Sequence, residues 1–355
     1  MPYNPLQLAL IVLRFALRFP HKVYPLWLSI RAIPTLYDRR HLKNFVRAIV
    51  IAEYARAVGA VHLHAHWTLA AQIAAAVARS FGYTYSFMMH AYDLYEEDAK
   101  LEKLGHGVAD RARDASFIAT CTGYNREYLQ AFYGERLQTP VHTVYHGVDA
   151  NFFVPGEKAS DPPLVLSVGR IIPCKGFDRL IEFLGRAAQQ GHDFSCAIIG
   201  TGDARLVNAL VERVEALGLS EKIRFTGGLP AREVRTYYQQ ADIFVLAGSL
   251  ELGHYGLPNV LVEAMSAEAA VLATAMQSTY ELIEPDVDGI VVADDDDEAL
   301  YEALCRLLTD PALRRRLGTN GRQKVLQRFA IDKTTRILYD LFQQATAGRL
   351  NSGSG

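Results

Sequence analysis

Two doubly wound α/β halves in one chain are what this sequence predicts. Short apolar strands alternate with amphipathic helices from about residue 60 onward, which is how a parallel sheet covered on both faces is written. The alternation lapses once, over Val154 to Pro163, where Pro, Gly, Lys and Ser follow one another without period, and then restarts. Two later segments join an apolar strand to a Gly-containing turn or a helix start: Ser167 to Asp178 and Gly256 to Glu263. At 355 residues there is chain enough for two cores. The expected division is 1–155, 156–330, a closing helix over 331–347 and a tail over 348–355. A cleft would lie between the halves, with ligands at strand carboxyl ends.

The elements follow in order. Leu6 to Phe19 is apolar at Leu6, Ala9, Leu10, Leu13, Ala16 and Leu17, which predicts a helix. Its uncharged run, Met1 to Leu13, is too short to span a bilayer and has no cation ahead of it, as a secretory signal would. Two readings remain for this helix: buried against the domain, or resting on the inner face of a membrane through Arg14, Arg18, His21, Lys22 and Arg31. Strands are expected at 61–65, 83–89, 117–120 and 141–145, with a helix from the first to about Phe81, stopped by Gly82. In the second half, strands are expected at 164–168, 196–199, 223–225, 243–246, 270–274 and 290–292. Helices are expected at 177–190, 206–217 and 234–240, on the segment carrying Glu263, and over most of 309–342. Asn351 to Gly355 reads as a disordered tail.

Composition excludes several classes. Hydrophobic content of 50%, charged content of 21% and a formal net charge of −2 describe a globular enzyme with no bias toward nucleic acid. Cys121, Cys174, Cys196 and Cys305 form no C-x-x-C pair and suit a reducing compartment, so the chain is expected to be cytoplasmic.

The chemistry concentrates in the two strand–turn segments. Arg170 and Lys175 stand five residues apart around a turn between Gly169 and Gly176. Two fixed cations beside backbone N–H groups suit a diphosphate. Glu263, one turn into its helix, suits ribose or sugar hydroxyls. Together they describe a site for a nucleotide carrying a group, plausibly a sugar, on its terminal phosphate.

With these residues in view, the chain resembles glycosyltransferase family 4, whose members have the two-Rossmann-domain GT-B fold and retain anomeric configuration. It looks most like bacterial enzymes of exopolysaccharide and colanic-acid-type assembly. The carriers are His62-Leu-His-Ala-His66, Ser86 to Asp93, Ala119 to Thr122, Tyr145 to Asp149, the Gly169 to Gly176 turn, and Gly256-Leu-Pro-Asn with Glu263. The resemblance implies that Arg170 and Lys175 grip the donor diphosphate and stabilise it as it leaves. It gives Glu263 the ribose, has backbone N–H groups near Leu257 to Val260 add phosphate contacts from a helix start with Pro258 in its first turn, and counts Gly169, Tyr255, Gly256, Leu257, Pro258 and Asn259 among the donor-binding residues. His90, at the end of a first-half strand, would face the donor sugar. The acceptor would be a glycan or a lipid-linked acceptor and the donor a UDP- or GDP-linked sugar; no isolated D-x-D motif stands at a strand end, so no metal is expected, and no cofactor. Attack would come on the face the nucleotide leaves, the leaving phosphate helping to take the acceptor proton.

The chain departs from the family pattern in three places. Tyr255 stands where the first carboxylate of a Glu-x7-Glu pair belongs, with Glu251 as a candidate substitute. The Gly-rich run after Ala-Met is replaced by Ser266-Ala-Glu-Ala-Ala270. The front of the chain offers a helix where relatives begin with a strand and Gly-rich loop. Tyr255 and that front support the alternative of a non-catalytic or subunit-type relative working with a partner protein.

Other motifs have plainer readings. His62, His64 and His66 alternate along one strand face without an Asp or Cys to complete a metal site, and read as structural. Trp67 would pack or stack on a sugar. Asp294 to Asp297 with Glu298 reads as a loop and helix cap. Gly200-Thr-Gly-Asp203 lacks a third glycine and reads as a turn near the nucleotide base.

Overall fold

The computed structural model of the chain describes residues 4–33, 41–103, 107–158, 161–249 and 256–350. It divides into two compact units, Met1–Val144 with Arg336–Gly355, and Tyr145–Thr335. The tail at 351–355, Glu251 and Tyr255 lie outside the described residues.

The first unit holds four parallel strands, β1 (His62–His66), β2 (Thr84–Met89), β3 (Ile118–Thr120) and β4 (Val141–Thr143), in that spatial order. Among the described residues only helices precede β1, namely α1 (Pro5–Arg18), α2 (Pro20–Arg31) and α3 (His41–Ala57). They pack with α4 (Thr68–Phe81) through Phe15, Leu26, Ile30, Phe45 and Ile49 against Ile73 and Val77. A capping box starts α1: Asn4 accepts from the Gln7 N–H at 2.8 Å and Gln7 accepts from the Asn4 N–H at 3.0 Å. Gly82, left-handed at φ 75°, ends α4 as expected.

The structure buries α1 on one side only. Its one fully buried residue is Phe15, whose ring lies 5.9 Å from Phe81, while Phe19 lies 5.6 Å from Phe81. Leu6, Leu10, Leu13 and Leu17 point to solvent. The helix is apolar around most of its circumference, so periodicity could not choose the inner side. The aromatic pair chose it, because rings bury more area than leucines.

The helix Ile331–Leu350 returns to the first unit, where Leu338, Leu341 and Phe342 pack on Met88, Phe117, Ala119 and Val144. Phe342 also covers His62 and His64, with ring centroids 5.3 and 5.1 Å away. The parallel register sets His62 beside Thr84 and His64 beside Ser86. His62 bonds Thr84 Oγ1 at 2.8 Å and Ser86 Oγ at 2.7 Å, and His64 bonds Ser86 Oγ at 2.7 Å. Burial pushes both imidazoles down to about 4. The folded protein therefore holds them neutral, while the unfolded chain protonates them near 6.5. Stability is expected to fall as pH drops from 6.5 to about 4, by on the order of 1–3 kcal/mol after allowing for partial exposure. Denaturant titrations of His62→Gln and His64→Gln at several pH values should show a flatter slope across that window.

The second unit holds β5 (Leu164–Val168), β6 (Ser195–Ile199), β7 (Ile223–Gly227), β8 (Ile243–Leu246), β9 (Ala270–Thr274) and β10 (Ile290–Val292). All pairings are parallel, in the order β10-β9-β8-β5-β6-β7. The chain builds from β5 outward through β6 and β7, then crosses to β8 and continues the other way. The switch point therefore falls between β5 and β8. The helix Phe177–Gln189 covers one face with Phe177, Leu180, Ile181 and Leu184, and Asn259–Ser266 covers the other with Leu261, Val262 and Met265. The units divide ahead of residue 155 because the linking segment packs on the second unit. Tyr145 stacks edge-on to Phe329 at 5.0 Å, Val148 bridges to Ala330, and Phe153 meets Tyr238 at 5.5 Å.

Candidate active site

Of the donor-binding residues expected from the sequence, Gly169, Arg170 and Lys175 follow β5 and Gly256 to Glu263 follow β8, the two strands that flank the switch point. After β5 the chain passes Gly169 and exposed Arg170, makes a short turn over Pro173–Lys175, and enters the helix at Phe177. Gly176 links turn and helix at φ 68°, and a β-carbon there would lie 1.8 Å from the Ala247 carbonyl oxygen just past β8. The Ser249 N–H donates to the Cys174 carbonyl at 3.0 Å. These contacts lock the two loops against each other.

Lys175 is partly buried here, and burial lowers its pKa, with Arg170 adding to the effect. A lysine held this way gains from an anionic partner more than an exposed one would. Gly200 sits beside the same turn, where its β-carbon would meet the Gly169 carbonyl oxygen at 1.8 Å. The Gly169 N–H donates to Ile199 at 2.9 Å and the Ile171 N–H to Thr201 at 2.8 Å. The glycines of Gly200-Thr-Gly-Asp203 thus serve close backbone approach, and Asp203 caps the next helix by accepting from the Arg205 N–H at 2.9 Å.

The second donor segment begins with buried Leu257 and Pro258 and starts its helix at Asn259. Pro258 stands at the cap, one position before the first turn. Among the described residues no side chain caps this helix start, and the Leu261 N–H donates to the Pro258 carbonyl at 2.9 Å. Glu263 lies one turn in and accepts from the Tyr238 hydroxyl at 2.8 Å. Burial raises the pKa of Glu263, and the Tyr238 bond opposes that rise. Tyr238, fully buried on the helix Ala231–Gln240, was invisible to sequence reasoning, because one tyrosine in a helical segment carries no signal of its partner. Tyr238→Phe is expected to cost about 1–3 kcal/mol at pH 7, where the buried carboxylate loses its donor. The loss should shrink as pH falls and Glu263, its pKa raised by burial, takes up a proton; unfolding curves of both proteins at pH 7 and at lower pH test this.

The helix carrying Glu263 ends in a way that explains one departure in the sequence. Glu268 takes the left-handed conformation at φ 59°, a position that usually falls to glycine. Its carbonyl lies so near Gly318 that a β-carbon there would approach within 2.3 Å. Glu268→Gly is expected to relieve about 1 kcal/mol of backbone strain, read as a raised thermal midpoint.

The acidic run serves structure. Asp296 accepts from the Ala299 N–H at 2.9 Å as a helix cap, and Arg179 bonds Asp294 at 3.1 Å and Asp297 at 2.5 Å.

In the first unit, His90 follows β2. Buried Asp93 orders this turn by accepting from the His90 N–H at 3.0 Å and from the Thr68 N–H and hydroxyl at 3.2 Å each. His66 Nδ1 lies 3.2 Å from His90 Nε2, within hydrogen-bond reach. Trp67 packs one side against His90, the ring centroids 4.4 Å apart, and is 49% exposed on the other; its backbone is at φ 73°. Asp93, His66 and Trp67 all lie in or beside the segments that carried the resemblance, but their contacts with His90 could not be read from the sequence.

A family profile described as Glycosyl transferases group 1 matches residues 149–324. Among curated relatives, a GDP-mannose-dependent alpha-(1-6)-phosphatidylinositol monomannoside mannosyltransferase of Mycolicibacterium smegmatis is 28% identical over 60% of this chain and 58% of its own length. The chain thus spans less than two thirds of that protein. A D-inositol 3-phosphate glycosyltransferase of Frankia alni is 30% identical over 73% of this chain and 68% of its own length. Among solved structures, sucrose-phosphate synthase from Thermosynechococcus elongatus superposes with a TM-score of 0.72 at 21% identity, covering 90% of this chain and 82% of that one. That likeness is one of fold, and the fold is GT-B.

Proposed function

The chain belongs to the group 1 glycosyl transferases, and on that premise we propose that it is a retaining, metal-independent hexosyltransferase of the cytoplasm. Its donor is a nucleoside-diphosphate sugar, UDP- or GDP-linked. Its acceptor is a glycan or lipid-linked glycan in surface polysaccharide assembly. The observation that supports this reading is the Arg170–Lys175 turn that follows β5, locked through Gly176 and Cys174 to the loop after β8, so that it lies at the β5–β8 switch point where open α/β sheets take their ligands.

In this reading the bond from the sugar's anomeric carbon to the terminal phosphate breaks while the acceptor oxygen bonds to that carbon. Arg170 and Lys175 take up the charge gathering on the leaving diphosphate. The acceptor proton passes to a phosphate oxygen. Glu263, tuned by Tyr238, accepts from the ribose hydroxyls. His90, held by Asp93 and His66, contacts the donor sugar.

Calorimetry with UDP, GDP and ADP and their common sugar conjugates, with and without Mg²⁺, tests the proposal. One nucleotide family should bind regardless of metal, and Arg170→Ala should lose it. A folded chain that binds none of them supports the alternative, a non-catalytic relative that needs a partner.

A further inference from the structure

The leucine stripe of α1 calls for an occupant. Leu6, Leu10, Leu13 and Leu17 are 71%, 51%, 55% and 75% exposed. Their spacing of four, three and four residues puts them on one line along the helix, opposite Phe15. Single exposed leucines need no explanation, but four in a row form a continuous apolar strip that water disfavours. Beside it runs an apolar groove of about 590 Å³ between α1 and α3, which Leu8, Val12 and Val46 help to line.

Charge narrows the choice of occupant. Residues 4–33 carry Arg14, Arg18, Lys22 and Arg31 and no carboxylate, in a chain whose formal net charge is −2. Arg14 and Arg18, both exposed and one turn apart, flank the stripe. Glu53 of α3, which shares a crevice with Arg14, is paired to Arg56 at 3.3 Å. On α2, Tyr24 and Leu28 are 68% and 46% exposed, beside exposed His21 and Arg31. A second copy of the chain would meet these cations with its own. With 14 residues, α1 spans only two heptads, short for a coiled-coil seam. Among the described residues no helix is long and apolar enough to cross a membrane.

We propose that α1 and α2 form a docking surface for an anionic lipid bilayer, with the leucine stripe among the acyl chains and Arg14 and Arg18 at the phosphate level. Apolar residues then leave water while the arginines extend to the headgroups, as interfacial helices do. The surface lies wholly in the first unit and needs no donor, so it stands or falls apart from the transfer reading.

Flotation of the full chain with vesicles of phosphatidylcholine alone, or with phosphatidylglycerol added, tests it. The chain should float with the anionic vesicles and be released by salt. Leu6→Glu with Leu17→Glu, and separately Arg14→Glu with Arg18→Glu, should each weaken binding by about tenfold or more. Both variants should keep the parent thermal midpoint and nucleotide affinity, since the changed side chains face solvent. The proposal is overturned if the parent stays unbound, if it binds neutral vesicles equally well, or if the leucine variant floats unchanged. A concentration-dependent dimer that the leucine variant dissolves would instead assign the stripe to a second copy.

Discussion

Replacing Arg170 with Ala is expected to lower kcat/KM for the nucleotide sugar by roughly 10²–10³-fold, the loss of about 3–4 kcal/mol of transition-state stabilisation. The residue is exposed, so the thermal midpoint should not move. Arg170→Lys keeps the charge but not the planar fork, and should recover only part of the rate. Lys175→Met separates two effects in one variant. The folded protein holds this ammonium against a desolvation cost, so removing it should leave stability unchanged or raised while donor use collapses. Steady-state kinetics beside thermal melts decide the matter; parent-like kinetics in both variants would remove the diphosphate assignment.

Gly176→Ala is expected to be the most damaging conservative change in the second unit. The new methyl would stand 1.8 Å from the Ala247 carbonyl oxygen and 2.4 Å from its carbon, on a backbone already at φ 68°. The strain of a left-handed alanine and the displacement of a rigid backbone neighbour together cost about 4 kcal/mol or more. Because this glycine joins the Lys175 turn to the loop after β8, donor affinity should fall with stability. Gly191→Ala is the control: its φ is 85°, but no atom lies within 4 Å of the added carbon. It should cost only about 1 kcal/mol. Equal losses in the two variants, measured by denaturant unfolding, would show that conformation alone matters and that the clash relaxes.

The strands of the second unit were legible because each is a short apolar run bounded by turn residues. Ile243–Leu246, Ala270–Thr274 and Ile290–Val292 fall where the sequence puts them. The Gly169–Gly176 turn was legible for a related reason, since glycines and cations in fixed order leave few other uses. Contacts between segments distant in sequence could not be read. Tyr238 meets Glu263 across 25 residues, and Phe342 reaches back to His62 and His64. Which side of α1 turns inward was hidden for the same reason, because Phe81 decides it from another helix. The alternation of the β1 histidines on one face was legible, but the partners of His62 and His64 on β2 follow only from strand register.

The return of residues 336–350 to the first unit has a consequence for synthesis on the ribosome. The second unit is continuous in sequence and can fold as soon as it emerges. The first is made of segments on either side of it, so Met88, Phe117 and Ala119 wait for Leu341 and Phe342 until translation has passed the whole of the second unit. A nascent chain halted before residue 336 therefore exposes an apolar sheet face, and chaperones that bind such faces should hold it there. Stop codons in this part of the gene would be far more harmful than their distance from the donor residues implies.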